Sequence, residues 1–368
     1  MAVQYTAKVP VRCWLDASPL QDFCARIFVA EGLPADDADV VAESLVAADL
    51  RGVHSHGVTR MDIYTERLRR GLFNPRPQIK VSHTAAGSGV IDGDNGMGAV
   101  VGMAAVEAAM AMAREAGIGA VTVHHGNHFG TAAFYIAKAV ERGFVALVCS
   151  NAPPTMAPWG GREAMFGTNP IGWGVPTGGT AIIADLATSV VARGKIILAA
   201  QRKEQIPPGW ALDVEGRPTT DPDAALIGAV LPFGEYKGSA IAMLVELLAG
   251  RLSGSNSMRE IPDFYRDLDR VSDHGHFFLC LDIGRFMPPD RFQGRVDDMI
   301  SSLKQSKRAA GCDEILMPGE IEARLEADRR RTGIPLTDEI VLALQRLGER
   351  HAVVFPVVSG TPLDRHAA

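Results

Sequence analysis

The sequence predicts an α/β protein: a mixed sheet with covering helices, preceded by an N-terminal helical region. Three observations carry that expectation. Residues 18–50 hold two helical patterns in succession with no strand between them. Beyond Pro77, short β-like runs (GVIDGD, GAVTVHH, GFVALVCS) alternate with Ala-rich stretches at 99–116 and 130–142, an alternation that calls for a sheet with helices packed on it. The chain of 368 residues is 47% hydrophobic and 22% charged with 38 glycines, enough apolar surface for an ordered globule and long enough for more than one domain.

Taken in order, SPLQDFCARIFVAEGLP and PADDADVVAESLVAADL read as a helical hairpin, with Pro34 and the acidic run at 36–39 opening the second helix. RGVHSHGVTR follows, then MDIYTERLRRGLFNP, a helix closed by Gly71 and Pro75. After the alternating region come a glycine- and proline-rich stretch at 151–180, an apolar run at 181–187 and a helix over roughly 188–204. Residues 207–223 carry turn signals and read as an exposed excursion. A further helix, KGSAIAMLVELLAGRL, precedes a polar insertion at 253–273, the strand-like GHFFLCLDIG and helices near 289–309, 320–331 and 337–349. The expected division is a helical region over 1–76, a mixed-sheet domain over 77–255, a C-terminal α/β region over 256–358 and a mobile tail at 359–368.

The net charge of −6, with Lys and Arg scattered rather than gathered in a stripe, argues against nucleic acid and anionic membrane as partners. Five widely spaced cysteines without a CxxC suit reduced thiols. No leader-like apolar stretch opens the chain and no run approaches the length of a membrane span, so the expected setting is the cytoplasm.

Two patterns invite over-reading. GMGAVVG at 96–102 resembles a dinucleotide fingerprint, yet lacks the GxGxxG spacing and an acidic ribose partner about twenty residues on; it reads as a glycine turn opening an Ala-rich helix. His54 and His56, and His124, His125 and His128, have the look of zinc ligands, but neither group carries a carboxylate or thiolate neighbour in a known zinc spacing. The expectation is that the chemistry needs no metal, with a zinc hydrolase as the remote alternative.

Four segments carry the candidate chemistry. In S-H-G-x-x-R, Ser55, His56 and Arg60 place a hydroxyl, an imidazole and a guanidinium close together; the guanidinium can hold a carboxylate in two hydrogen bonds while the others orient or pass a proton, as a site for a 2-oxo or 2-hydroxy acid requires. In HHGNHFG, His128 follows Gly126 and Asn127 and stands at an expected helix start, where free amides and the helix field favour a neutral imidazole able to act as acid or base. MFGTNPIGWGVP reads as a binding loop with Thr168 and Asn169 as donors. In ADLATSVVARGKI, Asp185 ends an apolar strand before an apparent helix cap, where it can accept from a ligand or simply cap.

As a set, SHGVTR, NHFG, GTNPIGWGVP, DLATSVVARGK, IPPGWALDVEGRPTTDP, YKGSAIAMLVELLAG and LMPGE resemble, in order and approximate spacing, the type-2 malate/L-lactate dehydrogenase family, over residues 18–350. That family includes ureidoglycolate, sulfolactate and 2,3-diketogulonate dehydrogenases and the piperideine/pyrroline-2-carboxylate reductases. The resemblance implies a non-Rossmann malate/L-lactate dehydrogenase-like fold, a homodimer, and metal-independent hydride transfer between NAD or NADP and a small 2-hydroxy or 2-oxo acid. A cyclic imine reductase is the nearest alternative. It implies His128 as proton donor and acceptor, Ser55 and His56 as the polar relay, Arg60 as the carboxylate ligand, and Thr168 and Asn169 lining the substrate pocket. Ala152, Asp185, Leu186, Ala187, Lys237, Gly319 and Glu320 match the cofactor-binding positions.

Overall fold

The computed structural model describes residues 11–356, so the tail expected at 359–368 lies outside the described residues. The chain forms two compact units: one takes the described residues up to Arg69 together with those from Ile321, the other runs Arg70–Glu320.

In the first unit the helices Ala17–Ala30 and Ala35–Leu50 form the hairpin read from the sequence. Leu20, Phe23, Cys24, Ile27 and Phe28 recur at helical spacing and are buried, as are Ala38, Val41, Ala42, Leu45 and Val46 on the second helix. The strand Val11–Leu15 pairs antiparallel with Ile334–Thr337, which the sequence did not announce as a strand because it is four residues long. That pairing makes the C-terminal helix Asp338–His351 part of this unit; Thr337 caps it by accepting from the Ile340 amide, and Val341, Leu344 and Leu347 are buried. Two consecutive 3₁₀ turns, His54–His56 and Val58–Arg60, lead into the helix Met61–Arg69.

The second unit is built on a seven-stranded sheet in the spatial order Lys80–Ala85, Ser88–Asp92, Ile118–Gly126, His274–Asp282, Phe144–Ser150, Ile171–Val175, Ile182–Leu186. Only Ser88–Asp92 and Ile118–Gly126 run parallel, joined through the helix Gly98–Ala116; the other neighbours are antiparallel. The expected C-terminal α/β region over 256–358 is therefore not one body. Its strand His274–Asp282 is inserted in the middle of the large sheet, while Ile334–Thr337 pairs with the start of the chain. Such long-range pairing leaves no local trace in sequence.

Alternation along Phe144–Ser150 divides the core of this unit. Phe144, Ala146 and Val148 are buried with one parity, while Cys149, of the other, packs with Val245 and Ala249 of the Tyr236–Arg251 segment. The excursion at 207–223 is ordered: Ala229–Val230, Ala211–Leu212 and Pro218–Thr219 make a small antiparallel sheet over a cluster of Val191, Ile196, Ile206 and Ala225. The helix expected over 188–204 starts only at Arg193. Among the described residues no helix is long and apolar enough to cross a membrane.

Candidate active site

In the first unit, the Ser-His-Arg motif is anchored by a buried carboxylate that sequence reading passed over. Asp49, 1% exposed, accepts from the Val58 amide at 2.8 Å and meets His54 Nδ1 at 2.8 Å. Gly57 lies directly on it, for a Cβ there would fall 2.2 Å from the Asp49 carboxylate. Asp49 thus fixes the two tight turns that carry Ser55, His56 and Arg60. The sequence signal was a carboxylate in the core-facing stripe of a helix, with Ala42, Leu45 and Val46.

Within the motif, Ser55 Oγ lies 2.9 Å from His56 Nδ1, and Arg60 donates from Nε to the Ser55 carbonyl at 2.6 Å. Burial, aided by the Arg60 charge, pushes the His56 pKa down to about 3, so this imidazole is neutral at physiological pH. Burial also draws Arg60 below the usual guanidinium range while Tyr64 opposes it, and burial pushes Tyr64 up to about 12. The result is a positive, oriented fork beside a neutral Ser-His pair, suited to an anionic group carrying a hydrogen-bonding oxygen.

In the second unit, His128 sits on a loop built from its neighbours. Asn127 is fully buried and donates its amide to the carbonyls of Asn95 and Gly96, at 3.0 and 2.9 Å, and to Asn95 Oδ1 at 3.0 Å. The Asn127 carbonyl accepts from His276 Nε2 at 3.1 Å, and His276 Nδ1 lies 2.8 Å from Ser150 Oγ. Burial pushes His276 down to about 3, which keeps it neutral, and its ring lies parallel to Phe129 with centroids 4.5 Å apart. Tyr135 donates to the Phe129 carbonyl. Gly98 closes the seat: a Cβ there would be 2.3 Å from the His128 carbonyl. Within the glycine turn at 96–102, Gly98 is thus the position that packs against this loop. His128 itself is half-buried, its ring 5.3 Å from that of Phe264.

One detail of the expected site changes. The helix after His128 begins only at Ala132, and its first-turn amide at Ala133 donates to Asp185 Oδ2 at 2.9 Å. Asp185 belongs to the strand Ile182–Leu186 and caps this helix, not the one that follows it in sequence. The carboxylate and the histidine loop are thereby tied to the same helix end.

The expected cofactor residues of this unit gather around the strand ends. The Thr168 carbonyl accepts from both the amide and the hydroxyl of Thr188 at 2.8 Å, the Thr188 carbonyl accepts from the Phe233 amide at 3.0 Å, and the Phe233 carbonyl accepts from the Gly238 amide at 3.0 Å. This run links the loop of Thr168, the segment after Asp185 and the turn bearing Lys237. Leu186, Ala187 and Lys237 are exposed along it. Gly319, with φ +88°, lies over Ile183, whose amide donates to the Pro318 carbonyl at 3.1 Å.

Asn169 and Glu320 behave differently from donors or acceptors facing a ligand. Asn169 is fully buried; its Oδ1 accepts from the Ala152 amide at 3.2 Å, and its Nδ2 donates to Ala242 O at 3.1 Å and Glu246 Oε2 at 2.7 Å. Glu246, a buried carboxylate the sequence reading missed, also accepts from Ser257 Oγ and the Met258 amide at 2.7 Å each. Asn169 holds the loop from within, while Thr168 beside it is half-buried. The Glu320 carboxylate accepts from Lys304 at 2.6 Å and from the Met317 amide at 3.1 Å. His54, His56 and His128 take no part in the group with metal-ligand spacing found among the described residues.

A family profile described as malate/L-lactate dehydrogenase matches residues 15–345. L-sulfolactate dehydrogenase of Methanothermobacter thermautotrophicus is 36% identical over 316 residues, 86% of this chain and 91% of the relative. Malate dehydrogenase of Pyrococcus abyssi is 35% identical over 342 residues, covering 91% and 94%. The solved sulfolactate dehydrogenase of Methanocaldococcus jannaschii superposes with a TM-score of 0.88 at 34% identity, over 93% of this chain and 98% of that one. Similar proteins also carry the names ureidoglycolate dehydrogenase (NAD(+)), (2R)-3-sulfolactate dehydrogenase (NADP(+)) and delta1-piperideine-2-carboxylate reductase.

Proposed function

Because the chain belongs to the malate/L-lactate dehydrogenase family, and is thus an oxidoreductase acting on CH–OH groups, we propose that it transfers hydride between NAD or NADP and a small 2-hydroxy or 2-oxo acid. The observation that carries the reading is the seating of His128: a half-buried imidazole on a loop whose backbone is held by Asn127, His276, Tyr135 and Gly98. Such a group meets a proton in a fixed geometry.

Oxidising a 2-hydroxy acid removes a hydride from C2 and a proton from the hydroxyl, in one direction, and returns both in the other. His128 takes or gives that proton, a contribution of about 10²–10⁴-fold for a positioned acid/base. Arg60 holds the carboxylate, and the Ser55-His56 pair hydrogen-bonds the reacting oxygen. Thr168 lines the substrate end, with Asn169 supporting its loop. A nicotinamide group, when bound, supplies or accepts the hydride. The exposed Leu186, Ala187 and Lys237 suit it in their chemistry, since apolar surface accommodates a flat ring and an ammonium a ribose phosphate. Asp185 holds the strand end at Leu186 to the helix after His128, and Ala152 and Gly319 shape the turns beside it; Glu320 fixes the latter through Lys304. The hydride chemistry itself calls for no metal, and the zinc hydrolase reading falls with the family.

We further propose that the protein is cytoplasmic and forms a homodimer, the dimer being supported by the exposed apolar side chains Tyr236, Met243, Leu244 and Leu247 along one helical segment. A second reading, reduction of a cyclic imine such as piperideine-2-carboxylate, is favoured by the likeness to the solved reductase of Pseudomonas syringae, with a TM-score of 0.82. A panel of 2-oxo acids and cyclic imine carboxylates, each with NADH and NADPH, separates the two by loss of reduced-nicotinamide absorbance. Turnover of a 2-oxo acid, sulfonated or not, supports the first reading; turnover of the imines alone replaces it with the second; no turnover of either class overturns both.

A further inference from the structure

Beyond that reading and independent of it, we propose that Asp92, His124 and His125 form a binding site for one borderline divalent transition-metal ion of the zinc class. The ligand atoms of these three side chains lie within 4.8 Å of one another. Asp92 and His124 are directly paired across the parallel strands Ser88–Asp92 and Ile118–Gly126, which puts their Cβ atoms on the same side of the sheet. Strand alternation would send the next residue, His125, to the opposite side. Instead His125 adopts φ +49°, a left-handed conformation uncommon for a side-chain-bearing residue, and its ring turns back to lie 4.5 Å from that of His124, with Nδ1 2.9 Å from Asp92 Oδ1. Asp273 holds this turn by accepting from the His125 amide at 2.7 Å, and is itself fixed by the Asn256 amide at 3.1 Å. On the other side, Asp92 Oδ1 accepts from the Asp94 amide at 3.0 Å.

Two imidazoles and one carboxylate are the donor set that zinc, nickel and copper(II) favour over magnesium or calcium, which take oxygen ligands. The side chains of Asp92 and His125 are 34% and 55% exposed, so water can complete the coordination. The ion takes the place of the Nδ1 hydrogen through which His125 donates to Asp92. Sequence spacing alone obscured this site because its carboxylate comes from the neighbouring strand, 32 and 33 residues away from the histidines.

The test is a calorimetric titration of untagged, chelator-stripped protein with zinc chloride, repeated on His124→Gln, on His125→Asn and on the double variant. Asn is chosen at 125 because it tolerates the left-handed backbone, and circular dichroism confirms that each variant is folded. The expected result is one ion per chain, with affinity about tenfold or more lower in each single variant and no specific uptake in the double; His83→Gln, outside the cluster, binds like the unaltered protein. Absence of zinc uptake by the unaltered chain overturns the proposal, and so does uptake of unchanged affinity by the double variant. Neither result touches the dehydrogenase reading, which rests on turnover of the acid panel.

Discussion

His128→Ala is expected to lower kcat by about 10²–10⁴-fold, the range for loss of a positioned acid/base group, while the protein stays folded. The second half of that expectation follows from how the loop is built. The bonds that seat it run through the Asn127 side chain and carbonyl, the Phe129 carbonyl and the close approach of Gly98, none of which involves the His128 imidazole. The substitution removes the imidazole proposed to transfer the proton, together with interactions of its ring such as the contact with Phe264. His128→Gln, which retains much of the bulk, is expected to lose activity comparably, and in both variants the residual rate should lose the pH dependence that the imidazole contributes. Steady-state kinetics with the best acid of the panel reads both quantities. A kcat within about threefold of the original would contradict a role in the proton step, for that factor is far below an acid/base contribution.

Arg60→Ala is expected to reduce kcat/KM about 10–100-fold, chiefly through KM. A charge-assisted hydrogen bond is worth about 1.5–3 kcal/mol, and each 1.36 kcal/mol is tenfold in rate. The guanidinium is oriented by the Ser55 carbonyl and lies beside Tyr64, so its fork is presented in one plane. Arg60→Lys keeps the charge without the fork and should fall between the two. A structural role alone could also raise KM, so the decisive comparison uses the substrate and its methyl ester. The unaltered enzyme should strongly prefer the acid, and Arg60→Ala should largely lose that preference. A preference that survives the substitution would assign the carboxylate to another cation.

Local features of this chain were legible in its sequence. Helical periodicity located the Ala17–Ala30 and Ala35–Leu50 hairpin, and the alternating runs located the strands at 88–92, 118–126 and 144–150. The non-local features were not. The strand Ile334–Thr337 and the placement of His274–Asp282 between two distant strands depend on pairing partners more than a hundred residues away. The same holds for the candidate site. The Ser-His-Arg and Asn-His motifs stood out because reactive residues cluster in a few positions, whereas Asp49, His276 and Glu246 act alone from inside helices or a strand, and their importance lies in what packs on them. Asp185 shows the limit from the other side: its cap position was anticipated, but the helix it caps, Ala132–Val140, precedes it by more than forty residues.

The central claim is direct hydride transfer from a nicotinamide carbon to C2 of a small acid. It is tested most directly by running the reduction with NADH or NADPH deuterated at the transferable C4 position, in ordinary water, and examining the product by mass spectrometry and NMR. One deuterium at C2 of the 2-hydroxy acid is the predicted result. Product bearing only solvent hydrogen at that carbon, or reduction that proceeds without consuming the nicotinamide, would contradict it.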